Sequence, residues 1–206
     1  MKTEWFALAS ALIVLAGAPF YLYDILKGTT KPERTTWLIW TMLSLIAFVS
    51  QFKLGAHWSL LFVGLEASGN FIVYLLALKY GVGGWRLQDK WALAVAVLGI
   101  TVSLVTHSPL VALVSVLVAD SAGAVLTIYK AFLMPKSETA IMWVFLGLSA
   151  ALSGASVGHW YLQLLLYPIY LTAMSFLVPI AQLTGWLSGH RATAALTNQS
   201  SAPPSN

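Results

Sequence analysis

The sequence predicts an all-α membrane protein of seven transmembrane helices, built as two parallel three-helix repeats joined by a linker helix (3+1+3). Three observations carry this. Hydrophobic residues make up 59% of the chain and charged residues 9%, against about 25% charged in a soluble domain, so polar surface cannot cover the fold. The apolar residues fall into seven runs, most of them near the ~20 residues that a helix needs to cross hydrocarbon. Residues 27–55 also recur at 130–158, 103 positions on, with nine of 29 positions identical: Lys27/Lys130, Pro32/Pro135, Thr36/Thr139, Trp40/Trp143, Leu43/Leu146, Leu45/Leu148, Ala47/Ala150, Ser50/Ser153 and Gly55/Gly158. A His-Trp pair follows each copy, His57-Trp58 and His159-Trp160, with a one-residue slip. The Pro, Trp, Gly and His-Trp matches weigh most, because those residues are scarce in so apolar a chain.

The first span covers about residues 5–26. Its start resembles a signal peptide with Ala16-Gly17-Ala18 as a cleavage site. Glu4 spoils the basic leader, however, and the apolar run continues through Phe20 and Ile25, so a retained helix is expected. Further runs follow at about 36–51, 58–78, 91–106, 110–132, 140–157 and 160–186. Pro168 and Pro179 are expected to kink or end the last. Three spans belong to each repeat, and the fourth joins them. The predicted divisions are residues 1–80, a linker loop and fourth helix at 81–108, a second repeat at 109–186, and a disordered polar tail at 187–206. An odd linker span returns the second copy to the orientation of the first, which makes the repeats parallel.

The basic residues sort with this count. Alternating connections place Lys27, Lys31, Arg34, Lys79, Arg86, Lys90, Lys130, Lys136 and Arg191 on one side, and only Lys2 and Lys53 on the other. The positive-inside rule makes the first side cytoplasmic and puts the amino terminus outside. The net charge of +4 is explained by this sorting, and the interrupted basic loops do not point to nucleic acid. The absence of cysteine excludes disulfides, thiolate metal sites and cysteine nucleophiles. No phosphate loop, metal cluster or nucleophile–base pair is present, so neither an enzyme nor a resident cofactor is expected. The expected partners are the bilayer and a small solute; homo-oligomerisation stays open.

A proline in the first helix, Pro19-Phe20, is followed by a basic turn before the second, Lys27-Gly28-Thr29-Thr30-Lys31-Pro32. With the 3+1+3 count, this resembles the SWEET and PQ-loop superfamily of small membrane transporters over about residues 5–186. Phe20 stands where the family's name motif has glutamine, and the second half has Ala122-Gly123 at the equivalent place. The resemblance implies that each triple packs in the order first, third, second helix, and that two triples face a central cavity. The superfamily also includes receptors and trafficking proteins.

Two carboxylates lie deep in spans. Glu66 is roughly 14 Å from the outer end of its helix and Asp120 roughly 16 Å, at 1.5 Å per residue. An ionised carboxylate at that depth costs at least ~2.5 kcal/mol, so each is expected to face a cavity or a partner. They are candidate proton-linked or solute-binding groups; the alternative is a protonated acid bonded to a neighbouring helix. Asn70 and Tyr74 follow Glu66 at four-residue steps and share its face; they could bind a solute or tie helices together. Tyr170, Thr172 and Ser175 stand on the matching seventh helix. Trp40 and Trp143 could clamp a flat ligand or serve as interface residues. Asp24, near Lys27, is a candidate inner gate or one member of an interfacial ion pair, and Pro19 is a candidate hinge for gating. The expected function is transport of a small polar solute (sugar, amino acid or similar) by alternating access, with proton linkage open. The alternative is a non-transporting receptor, sensor or assembly subunit.

Overall fold

The computed structural model describes residues 2–53, 58–156 and 162–200. His57, His159 and Trp160 lie outside these residues. Seven α-helices are present among them: α1 (Lys2–Lys27), α2 (Arg34–Lys53), α3 (Trp58–Tyr80), α4 (Leu87–Val105), α5 (Pro109–Leu133), α6 (Ala140–Ser156) and α7 (Leu162–Ser200). Four contain stretches long and apolar enough to cross a membrane: Leu8–Lys27, Leu87–Val105, Leu113–Leu133 and Leu165–His190. A shorter apolar run spans Ala140–Ala155.

Local chemistry sets the helix ends. Gly28 adopts φ +78°, a conformation open to a residue without Cβ. There its amide donates to Ile25 O, while the Thr29 amide donates to Asp24 O, both at 3.0 Å, a complete Schellman closure of α1. Ser108 caps α5, with Pro109 in the first turn, where a missing N–H costs nothing. At α4, Asp89 accepts from the Arg86 amide at 2.9 Å, closing a capping box. The helices run on where composition predicted interruption. α7 continues through both Pro168 and Pro179, so neither proline ends it. Its helix also extends to Ser200, over a stretch whose polar composition predicted a disordered tail; Ala192, Ala194, Ala195 and Leu196 supply helix propensity there.

Burial is inverted relative to a water-soluble fold. Thr36, Thr127, Ser149 and Ser175 are buried, whereas Leu12, Leu98, Leu104 and Leu183 are exposed. Apolar side chains on the outside and hydroxyls within are what a helical membrane protein requires, since lipid accepts the former and cannot hydrogen-bond the latter. The helix contacts form a closed circuit: α1 meets α3, α3 meets α2, α2 meets α5, α5 meets α7, α7 meets α6, and α6 returns to α1. The fourth helix stands apart from this circuit, packing on α5 and touching α2. Trp40 packs against all three buried apolar clusters, one on the α4 side, one among α1, α2 and α3, and one among α5, α6 and α7.

Candidate functional site

The loops between α1 and α2, α3 and α4, and α5 and α6 gather at one end of the molecule. The Lys31 amide donates to Ser137 O at 2.9 Å, and the Val82 amide to Pro32 O at 2.9 Å. Gln182 Nε2 on α7 donates to Pro135 O at 2.7 Å. The two repeat-related prolines, Pro32 and Pro135, thus each offer a carbonyl to the third helix of their own set or to the residues just after it.

Two of the contacts that cross between the two sets are reciprocal. Thr127 on α5 donates its hydroxyl to Thr36 Oγ1 on α2 at 3.1 Å. Thr139, just ahead of α6, donates to Asp24 Oδ2 on α1 at 2.8 Å. A shift of 103 positions carries Asp24 onto Thr127 and Thr36 onto Thr139, so the second contact repeats the first. Between them the indoles of Trp40 and Trp143, a third pair related by the same shift, touch with centroids 5.9 Å apart at 59°. Trp143 is buried and donates Nε1–H to Glu138 Oε2 at 2.8 Å. The two indoles therefore meet face to edge in the interior.

Around these indoles the end is closed by polar groups. Thr30 and Thr139 share a hydroxyl–hydroxyl bond at 2.6 Å. Lys130 is buried, pairs with Glu138 and also donates to Lys31 O. Asp24 thus reaches across to Thr139 and does not pair with Lys27, whose ammonium sits over the Tyr23 ring at 5.3 Å. Lys27 and Lys130, identical in sequence alignment, have opposite fates: one is exposed, the other buried in an ion pair. A second cluster braces the neighbouring loops. Arg86 bridges Glu33 at 3.3 Å and Asp89 at 3.1 Å, both carboxylates being fully buried. Burial pushes the Glu33 carboxyl above its usual 4.5; the Thr36 amide opposes the rise and Asp89 adds to it. Its hydrogen bond to Asp89 is the main reason the Arg86 guanidinium is held still more firmly charged.

Deeper in the helices, Asp120 Oδ2 accepts from the Tyr170 hydroxyl at 2.7 Å, and Ser121 Oγ donates to the same hydroxyl oxygen at 3.0 Å. Asp120 thus has a neutral partner on α7. Ten residues separate it from Lys130, so it lies roughly 15 Å from the closed end along α5. Thr172 bonds back to Pro168 O at 2.7 Å. Ser175 is buried, and its hydroxyl finds no partner; the same holds for Trp40 Nε1. Asn70 points its amide at Trp40 O from 3.5 Å, a long contact, and Tyr74 packs with the cluster that holds Tyr21 and Trp37. Glu66 stands on α3 one turn before Asn70, and its side chain lies outside the described residues. Pro19 falls within α1 on an exposed face. No group of three His, Asp or Glu suited to a metal occurs among the described residues.

Sequence reasoning missed Thr30, Glu33, Asp89 and Glu138. It judged acids by depth in a span, and an acid beside a helix start reads as solvated. The available signal was the pair of strings Glu33-Arg34-Thr35-Thr36-Trp37 and Glu138-Thr139, each setting an acid immediately ahead of a helix start, where backbone amides favour negative charge. Searches against protein-family models, curated proteins and solved structures found no match.

Proposed function

We propose that this chain is a transporter of the SWEET and PQ-loop kind, crossing the membrane seven times as two parallel three-helix units with α4 as the linker. It moves a small polar solute by alternating access. The reciprocity of the Thr127–Thr36 and Thr139–Asp24 contacts carries this reading. Two parallel copies facing each other across a two-fold axis repeat a cross-contact where the equivalent residues allow it, and Trp40 and Trp143 would then meet on that axis. The neighbour order of the helices supports it as well, for α3 lies between α1 and α2, and α7 between α5 and α6.

In this reading the loop end is cytoplasmic and the described state is closed there. Trp40 and Trp143 form the floor. Above it lie Asp120 with Tyr170, Asn70, and the unpartnered Trp40 Nε1 and Ser175 hydroxyl. These are the donors and acceptors that a hydroxyl- or amide-bearing solute would engage. Opening to the cytoplasm would part the indoles and release Thr139 from Asp24 and Lys130 from Lys31, while the other end closes. Asp120 is the group suited to proton linkage, because its charge needs a partner, a proton or a ligand at that depth.

Uptake into proteoliposomes, with and without an inward proton gradient, across a panel of sugars, amino acids and vitamins, tests this. Asp120→Asn or Glu66→Gln should lower gradient-driven uptake by at least about tenfold, while Asp24→Asn at the closed end retains it. If both deep variants carry solute normally across the pH range, the acids are structural. If the whole panel gives no uptake, transport is excluded for those solutes and the receptor alternative gains.

A further inference from the structure

The closed end carries an open groove of about 840 Å³ that the solute path does not use. The turn after α1 and the turn after α5 form its base, and the last part of α7 forms one wall. Two lysines line it, Lys31 and Lys136, both exposed. No acid lines it. The acids nearest in sequence are engaged elsewhere, Glu33 with Arg86, Glu138 with Lys130 and Trp143, and Asp24 with Thr139. Neither groove lysine has a carboxylate partner among the described residues.

Ser137 sits between these elements. It is 5% exposed, and its hydroxyl has no hydrogen-bond partner in the protein. Apolar side chains also line the groove: Leu133 and Met134 are exposed there, and Trp186, tilted against His190 with centroids 3.9 Å apart, belongs to the same lining.

Two exposed cations without carboxylate partners fit a phosphate; an adjoining indole and aliphatic side chains fit what a phospholipid attaches to that phosphate. We propose that this groove holds the phosphate headgroup of an anionic phospholipid, with Lys31 and Lys136 on the phosphate and Trp186, Leu133 and Met134 against its glycerol and acyl portion. The proposal rests on the reading that this end lies at a membrane surface. It does not depend on transport. Basic pockets at the cytoplasmic ends of helices bind anionic headgroups by this combination of charge and apolar contact.

The test is lipid retention. Full-length protein is purified from vesicles of equal phosphatidylglycerol and phosphatidylcholine, and bound lipid is counted by mass spectrometry. Wild type should retain phosphatidylglycerol roughly tenfold or more over phosphatidylcholine. The double variant Lys31→Gln/Lys136→Gln should lose that enrichment. The double variant Lys79→Gln/Lys90→Gln, which removes two exposed lysines of the same end but outside the groove, should keep it. Equal retention of the two lipids by wild type overturns the proposal, as does equal loss in both double variants. If inorganic phosphate in large molar excess displaces the lipid, the site takes a free oxyanion and the lipid assignment falls. Should the groove variant fail to elute as a folded species, Trp186→Ala tests the same claim: it should weaken phosphatidylglycerol retention without touching a charge, and unchanged retention counts against the proposal. Retention is read without uptake, so a negative transport assay and a negative lipid assay remain separate results.

Discussion

Trp40 shows what a single side chain can and cannot announce. Its recurrence as Trp143 was legible, because tryptophan is scarce and the shift of 103 positions aligned it with a proline and a threonine. Its contact with Trp143 was not, since spacing along a chain says nothing of what lies across an axis. Glu33 makes the same point for charge. At the head of a helix it reads as a solvated cap, yet its carboxylate is fully buried and bonds Arg86 and the Thr36 amide. Because burial raises its pKa above 4.5, the folded protein holds that proton more tightly than the unfolded chain does. The stabilisation linked to Glu33 is therefore complete below the unfolded value and declines as pH rises through the raised one. Glu33→Gln imitates the protonated form and escapes that decline. Thermal midpoints in detergent at a series of pH values above about 4.5 should show the variant gaining on wild type with rising pH. A constant difference would mean that the Arg86 pair fully compensates burial.

At the level of elements, the helices and their order were readable from apolar runs, and boundaries fell within a few residues of expectation except at the end of α7, which runs fourteen residues past the expected 186. Interruptions were not. Pro168 and Pro179 argued for an end to the last span, and α7 passes both, since packing against α5 and α6 holds a helix together where propensity alone would break it. How closely helices cross was also hidden. A Cβ built on Gly185 would stand 2.0 Å from Phe132 O, so α7 rests on the α5 backbone itself at that crossing. Gly185→Ala must push the two helices apart and should destabilise the protein by about 1–3 kcal/mol. The readout is a lower thermal midpoint in detergent. An unchanged midpoint would mean that the crossing relaxes freely.

For the whole molecule, composition and basic-residue sorting led to a membrane reading, and the exposed leucines and buried hydroxyls accord with it. The basic loops do meet at one end. Which side of a membrane that end faces is a matter for experiment. The chain has no cysteine, so single cysteines can be introduced cleanly. A membrane-impermeant thiol reagent applied to intact cells should label a cysteine at Thr3 and miss one at Ser200; the opposite pattern would overturn the orientation, and labelling of both or of neither would overturn the seven-span count. Less of the candidate site than of the fold was legible. Depth picked out Asp120, but its partner Tyr170 lies on α7, fifty residues on, and only packing joins them. The closure at Lys130 and Glu138 was invisible because Glu138 sits in a turn and Lys130 in the last turn of α5, where water would ordinarily satisfy them.

The pairing of α1 with α6 governs the order in which the protein can be completed. Ser10 and Ser149 exchange hydrogen bonds at 2.9 Å across 139 positions. A ribosome adding about 5–20 residues per second needs on the order of 10 s between those two serines. Throughout that interval α1 has left the exit tunnel without its main neighbour. Of the helices it touches in the finished protein, only α3 is made soon after it. The first helix synthesised thus meets its main neighbour only when the sixth arrives, and the circuit shuts only with the seventh.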